Sequence, residues 1–369
     1  MLKRIYVDNY KCLVNFDLKF DKMNILLGEN GSGKSTVFET LQRLQSFIGG
    51  DEKVETLFPF ASRCRWQNAF LQVFEIDLEE EDLGTFGYHL AVEHTKEGDK
   101  VSVKEEKLSL NGEPLFRFEA GEIQLYDDQH KPGPKYPFDW SQSGLATIYE
   151  RADNAKLTRF KAQIGRMIIA QIIPPMMQSD TGDRGDVRPS VFMENFAGWY
   201  RVISQDQGLV NRLIETLRRA MKNFDSFRFV PYGTRYLLET RFQYEDLKNA
   251  VNYNLRELSD GQRALLALYT LLEFARENHT IVCLDEPDNF IALPEIQPWL
   301  TALYDLCNEN GTQGILISHH PEVIDLLSSH AVWMERSNGL ATRLSPLPES
   351  GDDALKVSES IARRWVGNE

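Results

Sequence analysis

The stretch Gly28-Glu29-Asn30-Gly31-Ser32-Gly33-Lys34-Ser35-Thr36 spells G-x-x-x-x-G-K-[ST] directly after the apolar run Asn24-Ile25-Leu26-Leu27. Val37 to Leu44 beyond it has helix-compatible spacing, so strand, glycine-rich loop and helix are expected in that order. The residue types answer to a phosphate. Glycines let backbone N–H groups curl around anionic oxygens, and the following helix turns the positive end of its dipole towards them. In such a loop Lys34 reaches the β and γ phosphates and Ser35 ligates Mg²⁺, while Asn30, Gly31, Ser32, Gly33 and Thr36 complete the cradle.

The chain of 369 residues is 42% hydrophobic and 26% charged, which predicts a globular protein of two or three structural units with a sizeable core. No apolar run approaches the roughly 18 residues of a membrane span. Met1-Leu2-Lys3-Arg4 leads into an alternating pattern where a signal peptide would carry an apolar block. A soluble, cytoplasmic protein without a membrane partner is therefore expected. Cys12, Cys64, Cys283 and Cys307 lie far apart with no C-x-x-C pair, so neither a zinc ribbon nor a disulfide framework is indicated. A net charge of -14 argues against a surface that coats nucleic acid everywhere and leaves a local basic patch as its route.

Period-two alternation dominates the first third of the chain. Val14, Phe16, Leu18 and Phe20 share a face, Leu2 to Tyr10 reads as their partner strand, and the character returns from about Phe70 to Tyr126 with a hairpin turn at Asn111-Gly112. Glu79 to Asp82 reads as a solvated turn. Pro132, Gly133, Pro134 and Pro137 are expected to break regular structure. Helix-like spacing follows in Leu145 to Ile173, Val191 to Ile203 and Leu209 to Phe224, with the long Pro174 to Ser190 connection between the first two. Arg151, Lys156, Arg159, Lys161 and Arg166, and separately Arg212, Arg218, Arg219 and Lys222, form either a basic face or ordinary solvated helix surfaces. Phe227 to Val230 and Tyr236 to Phe242 return to strand character. The organisation read from these shifts is an N-terminal lobe at 1–130, a helical insert at 131–225 and a C-terminal lobe at 226–369.

The rest of the chemistry lies in that last lobe. Leu258-Ser259-Asp260-Gly261-Gln262 opens a strongly apolar helix, and Ser259 with Gln262 fits an S-x-x-Q capping box. Ile281 to Leu284 is a buried-strand run ending in Asp285-Glu286-Pro287, and Gly314 to Ile317 is another, ending in Ser318-His319. Carboxylates at the carboxyl end of a parallel strand sit where open α/β sheets bind ligands. Asp285 can hold Mg²⁺ and Glu286 can polarise an attacking water, as phosphoryl transfer requires.

Taken in order, the phosphate loop, L-S-D-G-Q, the strand with D-E-P and the strand with S-H resemble the head of an ABC-type ATPase. The opening Ile5 to Lys11 is similar to the RecF, SMC and OLD branch, whose members act on DNA or in its defence. The resemblance covers residues 1 to about 48 and 255 to about 335. It implies an α/β fold with a parallel core sheet, an antiparallel β subdomain and a helical insert. It also implies ATP with Mg²⁺ as ligands and a dimer in which Ser259, Gly261 and Gln262 of one protomer close on the γ-phosphate held by Lys34 of the other. Glu286 would be catalytic, and His319 would be the switch histidine. Ala292 stands where the family has His or Asp, so only Asn289 of that element is kept. Gln67 and Gln72 are both candidates for the glutamine that touches Mg²⁺ or water. His320 has no assigned role. No sustained heptads are present for a coiled-coil arm, and the 50 residues after His319 leave no room for a nuclease domain.

The expected function is an ATP-binding and ATP-hydrolysing switch that controls a separate effector in DNA-linked defence or repair. The alternative is an ATP-binding scaffold with negligible turnover that holds a toxin or nuclease inactive.

Overall fold

The alternating stretches pair into one antiparallel sheet in the order Phe16–Lys19, Leu2–Asp8, Leu71–Glu80, Gly84–His94, Val101–Leu110, Glu113–Glu119, Glu122–Tyr126 and Pro132–Pro137. The computed structural model describes residues 1–182, 185–336, 340–347 and 356–361, with the backbone of 362–366. It divides into two units, Met1–Met167 with Ser329–Gly351, and Ile168–Ser328 with Asp352–Glu369.

In the first unit, Asn111 and Gly112 take left-handed φ of 51° and 86° at the expected turn, a twist that matches the strands they join. Glu75 lies opposite His89, and His89 opposite Lys107. Polar side chains therefore share one face, while Phe74, Ile76, Tyr88, Leu90 and Leu108 are buried on the other. Phe160 of the helix Ala155–Arg166 stacks on Tyr88 at 5.8 Å and covers that face. Three prolines expected to break regular structure instead form the last strand, at the sheet edge, where a missing N–H forfeits no ladder bond. Glu79 and Glu80 belong to a strand and not to a solvated turn, and they pair with Lys3 and Arg159.

The strand Met23–Leu27, buried throughout, pairs in parallel with Ala331–Arg336, which pairs antiparallel with Thr342–Ser345. Helix Lys34–Gly49 buries Val37, Phe38, Leu41 and Leu44. Its Gln45 donates to the carbonyls of Ile164 and Met167, both at 2.7 Å, at the end of helix Ala155–Arg166, where the Ile164 carbonyl also accepts from the Met167 N–H.

The stretch Leu145 to Ile173 is not one helix. It divides into a 3₁₀ turn at Leu145–Thr147, the helix Ala155–Arg166 and a strand Ile168–Ala170. One cause is the buried carboxylate of Glu106, which accepts from Ser143 Oγ at 2.6 Å, the Gly144 N–H at 2.8 Å and Tyr88 Oη at 3.0 Å, tying the chain into a turn. Burial pushes the pKa of Glu106 up despite these donors. The other cause is that a short apolar run reads alike as buried helix or buried strand.

In the second unit, Ile168–Ala170, Ile281–Asp285 and Gln313–Ile317 form parallel pairs, with Cys283 opposite both Ile169 and Ile315. Helices Asp260–Asn278 and Leu293–Glu309 meet where Trp299 Nε1 donates to the Leu268 carbonyl at 2.9 Å. The two expected strand runs lie in Phe224–Tyr232 and Arg235–Phe242, which pair as a hairpin, joined by Val251–Asn254 and the two-residue strand Asp180–Thr181. Helices run over Phe196–Ile203 and Gln207–Ala220, the second capped by Asp206 accepting from Gly208 N and Leu209 N. Pro174 to Ser190 holds a 3₁₀ turn at Pro174–Met176 as well as that short strand, and its Asp183 and Arg184 lie outside the described residues. The sequence pattern from Ala354 to Trp365 reads as a closing helix, and the helix found spans Val357–Val366; Ala354 and Leu355 lie outside the described residues. No helix among the described residues is long and apolar enough to cross a membrane.

Candidate functional site

The phosphate loop belongs to the first unit. Gly28, Gly31 and Gly33 take φ of 148°, 80° and 103°, values that L side chains rarely adopt. At Gly28 a Cβ would stand 2.0 Å from the Met334 carbonyl oxygen, and at Gly33 it would stand 2.7 Å from Thr342 Oγ1 and 2.9 Å from Cys12 Sγ. The loop is thus pressed between the first strands and the strands near residue 340. Thr342 Oγ1 donates to the Ser32 carbonyl at 2.7 Å, and Arg336 Nη1 donates to the Gly31 carbonyl at 3.3 Å. Cys12 Sγ lies 3.8 Å from Thr36 Oγ1.

Whether these residues suit a phosphate can be judged from the helix start. Helix Lys34–Gly49 has no side-chain cap and no acidic residue in its first turn, so its leading N–H groups are left for an anion. Ser32 is buried with its Oγ lacking a hydrogen-bond partner. Lys34 is buried as well, its Nζ donating to the carbonyls of Gly28 at 2.8 Å and Glu29 at 3.0 Å. That places a cation inside the loop. Ser35, by contrast, is exposed and can offer its hydroxyl to Mg²⁺.

In the second unit, Asp285 ends its strand and Glu286 follows with a left-handed φ of 50°. The Glu286 N–H donates to the Ile317 carbonyl at 2.8 Å, which ties the acidic pair to the strand that leads to His319. Glu286 Oε2 accepts from Asn289 Nδ2 at 2.7 Å, and Glu286 Oε1 lies 3.9 Å from His319 Nε2. Glu286 and His319 are therefore brought together, with Asn289 as a third member that motif reading noted without a role.

Ser259 and Gln262 make the capping box, with Ser259 Oγ accepting from Gln262 N at 3.2 Å and Gln262 Oε1 accepting from Ser259 N at 3.0 Å. Gly261 faces the Phe290 carbonyl, which a Cβ would approach to 2.9 Å. The L-S-D-G-Q turn thus touches the loop after the acidic pair.

Of the two candidate glutamines, Gln72 is occupied elsewhere. It is fully buried, donating to the Asn9 carbonyl at 3.0 Å and lying 2.8 Å from His94 Nε2. Gln67 is only partly exposed. His320 caps the helix Pro321–Leu326, its Nδ1 accepting from Glu322 N at 3.3 Å. Within the two possible basic faces, Arg151 pairs with Asp153, Arg159 with Glu80, Arg212 with Glu277 and Arg218 with Asp225. Lys156 and Lys161 donate to backbone carbonyls.

Comparison with known proteins bears on the family and the fold. A family model described as "AAA domain, putative AbiEii toxin, Type IV TA system" matches residues 23–325. The structure is similar to a SmcHead bound to the C-winged helix domain of ScpA, at 12% identity over 93% of this chain and 97% of that one, with a TM-score of 0.55. It is also similar to the Smc head domain with an extended coiled coil bound to the C-terminal domain of ScpA, derived from Pyrococcus furiosus, at 10% identity over 100% and 99%, with a TM-score of 0.52. A search of curated proteins finds no match. The fold is the mixed α/β fold of an Smc head domain.

Proposed function

The chain belongs to this AAA-domain family, and from that premise we propose that it is a cytoplasmic molecular switch of the RecF, SMC and OLD branch. It binds ATP with Mg²⁺, dimerises around it, hydrolyses it and controls a separate effector protein in DNA-linked defence or repair. Lys34 and the N–H groups from Asn30 to Thr36 hold the phosphates, and Ser35 and Asp285 hold Mg²⁺. Glu286 takes the proton of the attacking water. His319 senses the γ-phosphate, and Ser259, Gly261 and Gln262 of the opposing protomer close on it. Mg²⁺, when bound, offsets the charge that gathers between the phosphates.

The observation that carries hydrolysis, beyond binding, is the Glu286 carboxylate. One of its oxygens accepts from Asn289 at 2.7 Å, which leaves the other, on the His319 side, to accept the proton of a water. Lys34→Ala should remove most nucleotide binding, whereas Glu286→Gln should bind ATP normally and fail to turn it over. Equal ATP affinity in the wild type and Lys34→Ala would sink the assignment.

A second reading takes from the family description only its toxin–antitoxin context. In it the chain binds ATP, hydrolyses it negligibly and holds a toxin or nuclease inactive. Both of the similar heads are themselves bound to a domain of another protein, ScpA, which supports a separate partner in either reading. Steady-state turnover with and without the partner separates the two.

A further inference from the structure

Beyond Glu286 the chain turns through Pro287 to Ala292 before helix Leu293–Glu309 begins. Glu286 and Phe290 both take left-handed φ, 50° and 70°. For a non-glycine residue this conformation is strained and persists only where the surroundings enforce it. Here backbone bonds enforce it: Asn289 N–H donates to the Glu286 carbonyl at 3.1 Å, Ile291 N–H to Asp288 at 3.3 Å, and Glu286 N–H to Ile317 at 2.8 Å. The Phe290 carbonyl, packed against Gly261, holds the far side. Asn289 is itself exposed, yet its Nδ2 lies 2.7 Å from Glu286 Oε2.

We infer that Asn289 is a positioning residue for Glu286, fixing one carboxylate oxygen so that the other is presented to the attacking water. This rests on the proposed role of Glu286. An amide is suited to the task because it donates without charge. A carboxylate at the same place would repel Glu286, and a methyl group would leave it free to rotate. The position is unusual in that an exposed side chain is immobilised by a turn that two strained residues and a glycine contact define.

The test compares Asn289→Ala and Asn289→Asp, alone and with Glu286→Gln, by kcat, KM and ATP affinity from equilibrium binding. A displaced general base loses about ten- to a hundred-fold in rate. The expected result is a fall of that order in kcat for Asn289→Ala and a larger one for Asn289→Asp, with KM and affinity within about two-fold of wild type, because binding does not use the group. On the Glu286→Gln background Asn289→Ala should lower kcat no further. The Asn289 side-chain amide resonance, assigned by its loss in Asn289→Ala, should move in Glu286→Ala. Wild-type kcat in Asn289→Ala, an unmoved resonance, or a loss of affinity equal to the loss of rate would overturn the inference. Full turnover by Glu286→Gln would overturn the proposed role of Glu286 itself, whereas a silent Asn289→Ala beside an inactive Glu286→Gln would remove only the positioning role.

Discussion

Acidification should destabilise the first unit through His94, a residue outside the nucleotide chemistry. Its side chain is 3% exposed, and burial, with the positive charge of Arg63 adding to it, lowers its pKa to about 4 from an ordinary value near 6.5. The geometry explains why. Nε2 lies 2.8 Å from Gln72 Oε1, an acceptor, so the neutral ring carries its proton there. Nδ1 is buried without a hydrogen-bond partner, and the ring packs against Phe60. A second proton would place a charged donor where nothing accepts it. The unfolded chain takes up that proton as pH falls through about 6.5, and the folded chain only near 4. The contribution to stability is therefore whole above about pH 6.5 and is lost progressively as pH falls towards 4. A gap of about 2.5 units corresponds to about 3 kcal/mol when fully expressed, of which about 2 kcal/mol is lost between pH 7 and pH 5. Urea unfolding of the wild type and of His94→Gln at both pH values should show the wild type losing about 2 kcal/mol more than the variant. The imidazole proton resonance should titrate with a midpoint near 4. A midpoint at or above 6.5, or the same pH dependence in both proteins, would refute the reasoning.

Gly28→Ala should displace the phosphate loop, because its Cβ would start 2.0 Å from the Met334 carbonyl; calorimetry should find ATP affinity reduced at least about ten-fold. Gln72→Leu strips partners from His94 and from the Asn9 carbonyl, so chemical denaturation should show a loss of about 1 to 3 kcal/mol with kcat preserved in the folded fraction. Glu286→Gln with ATP should shift towards dimer in light scattering, and adding Ser259→Arg should prevent it; an unchanged mass at every concentration would count against nucleotide-driven closure. The pure protein with ATP and Mg²⁺ or Mn²⁺ should leave DNA, RNA and transfer RNA intact, and robust cleavage surviving in Glu286→Gln would contradict a separate effector.

The short elements of the candidate site were legible because they are local. The glycine-rich loop, the Ser259 and Gln262 capping box and the hairpin turn at Asn111-Gly112 are each written in consecutive or nearly consecutive residues, and the capping box closes its hydrogen bonds within three positions. Strand alternation was equally plain wherever one face of the sheet is buried and the other is polar. Reading failed where a residue is defined by something distant. Gln72 read as a candidate for the glutamine that touches Mg²⁺ or water until the fold set it between Asn9 and His94. The basic residues of the helices read alike as a basic face or as solvated surface until Glu80, Glu277 and Asp225 were placed beside Arg159, Arg212 and Arg218.

What the amino-acid order determined by itself is therefore the set of short elements and the residue types offered to a phosphate, since backbone dihedrals, caps and periodicity depend on neighbours in the chain. Tertiary structure alone decided that Ile168-Ile169-Ala170 is a strand, by giving it Ile281–Asp285 to pair with. It alone closed the phosphate loop, with Thr342 donating to Ser32 across about 310 residues of chain. It also set His319 beside Glu286 by pairing their strands, so that the Glu286 N–H could reach the Ile317 carbonyl. Such contacts arise from hydrogen bonds and burial between segments that no local pattern relates, and they exist only once the parallel strands have found their register.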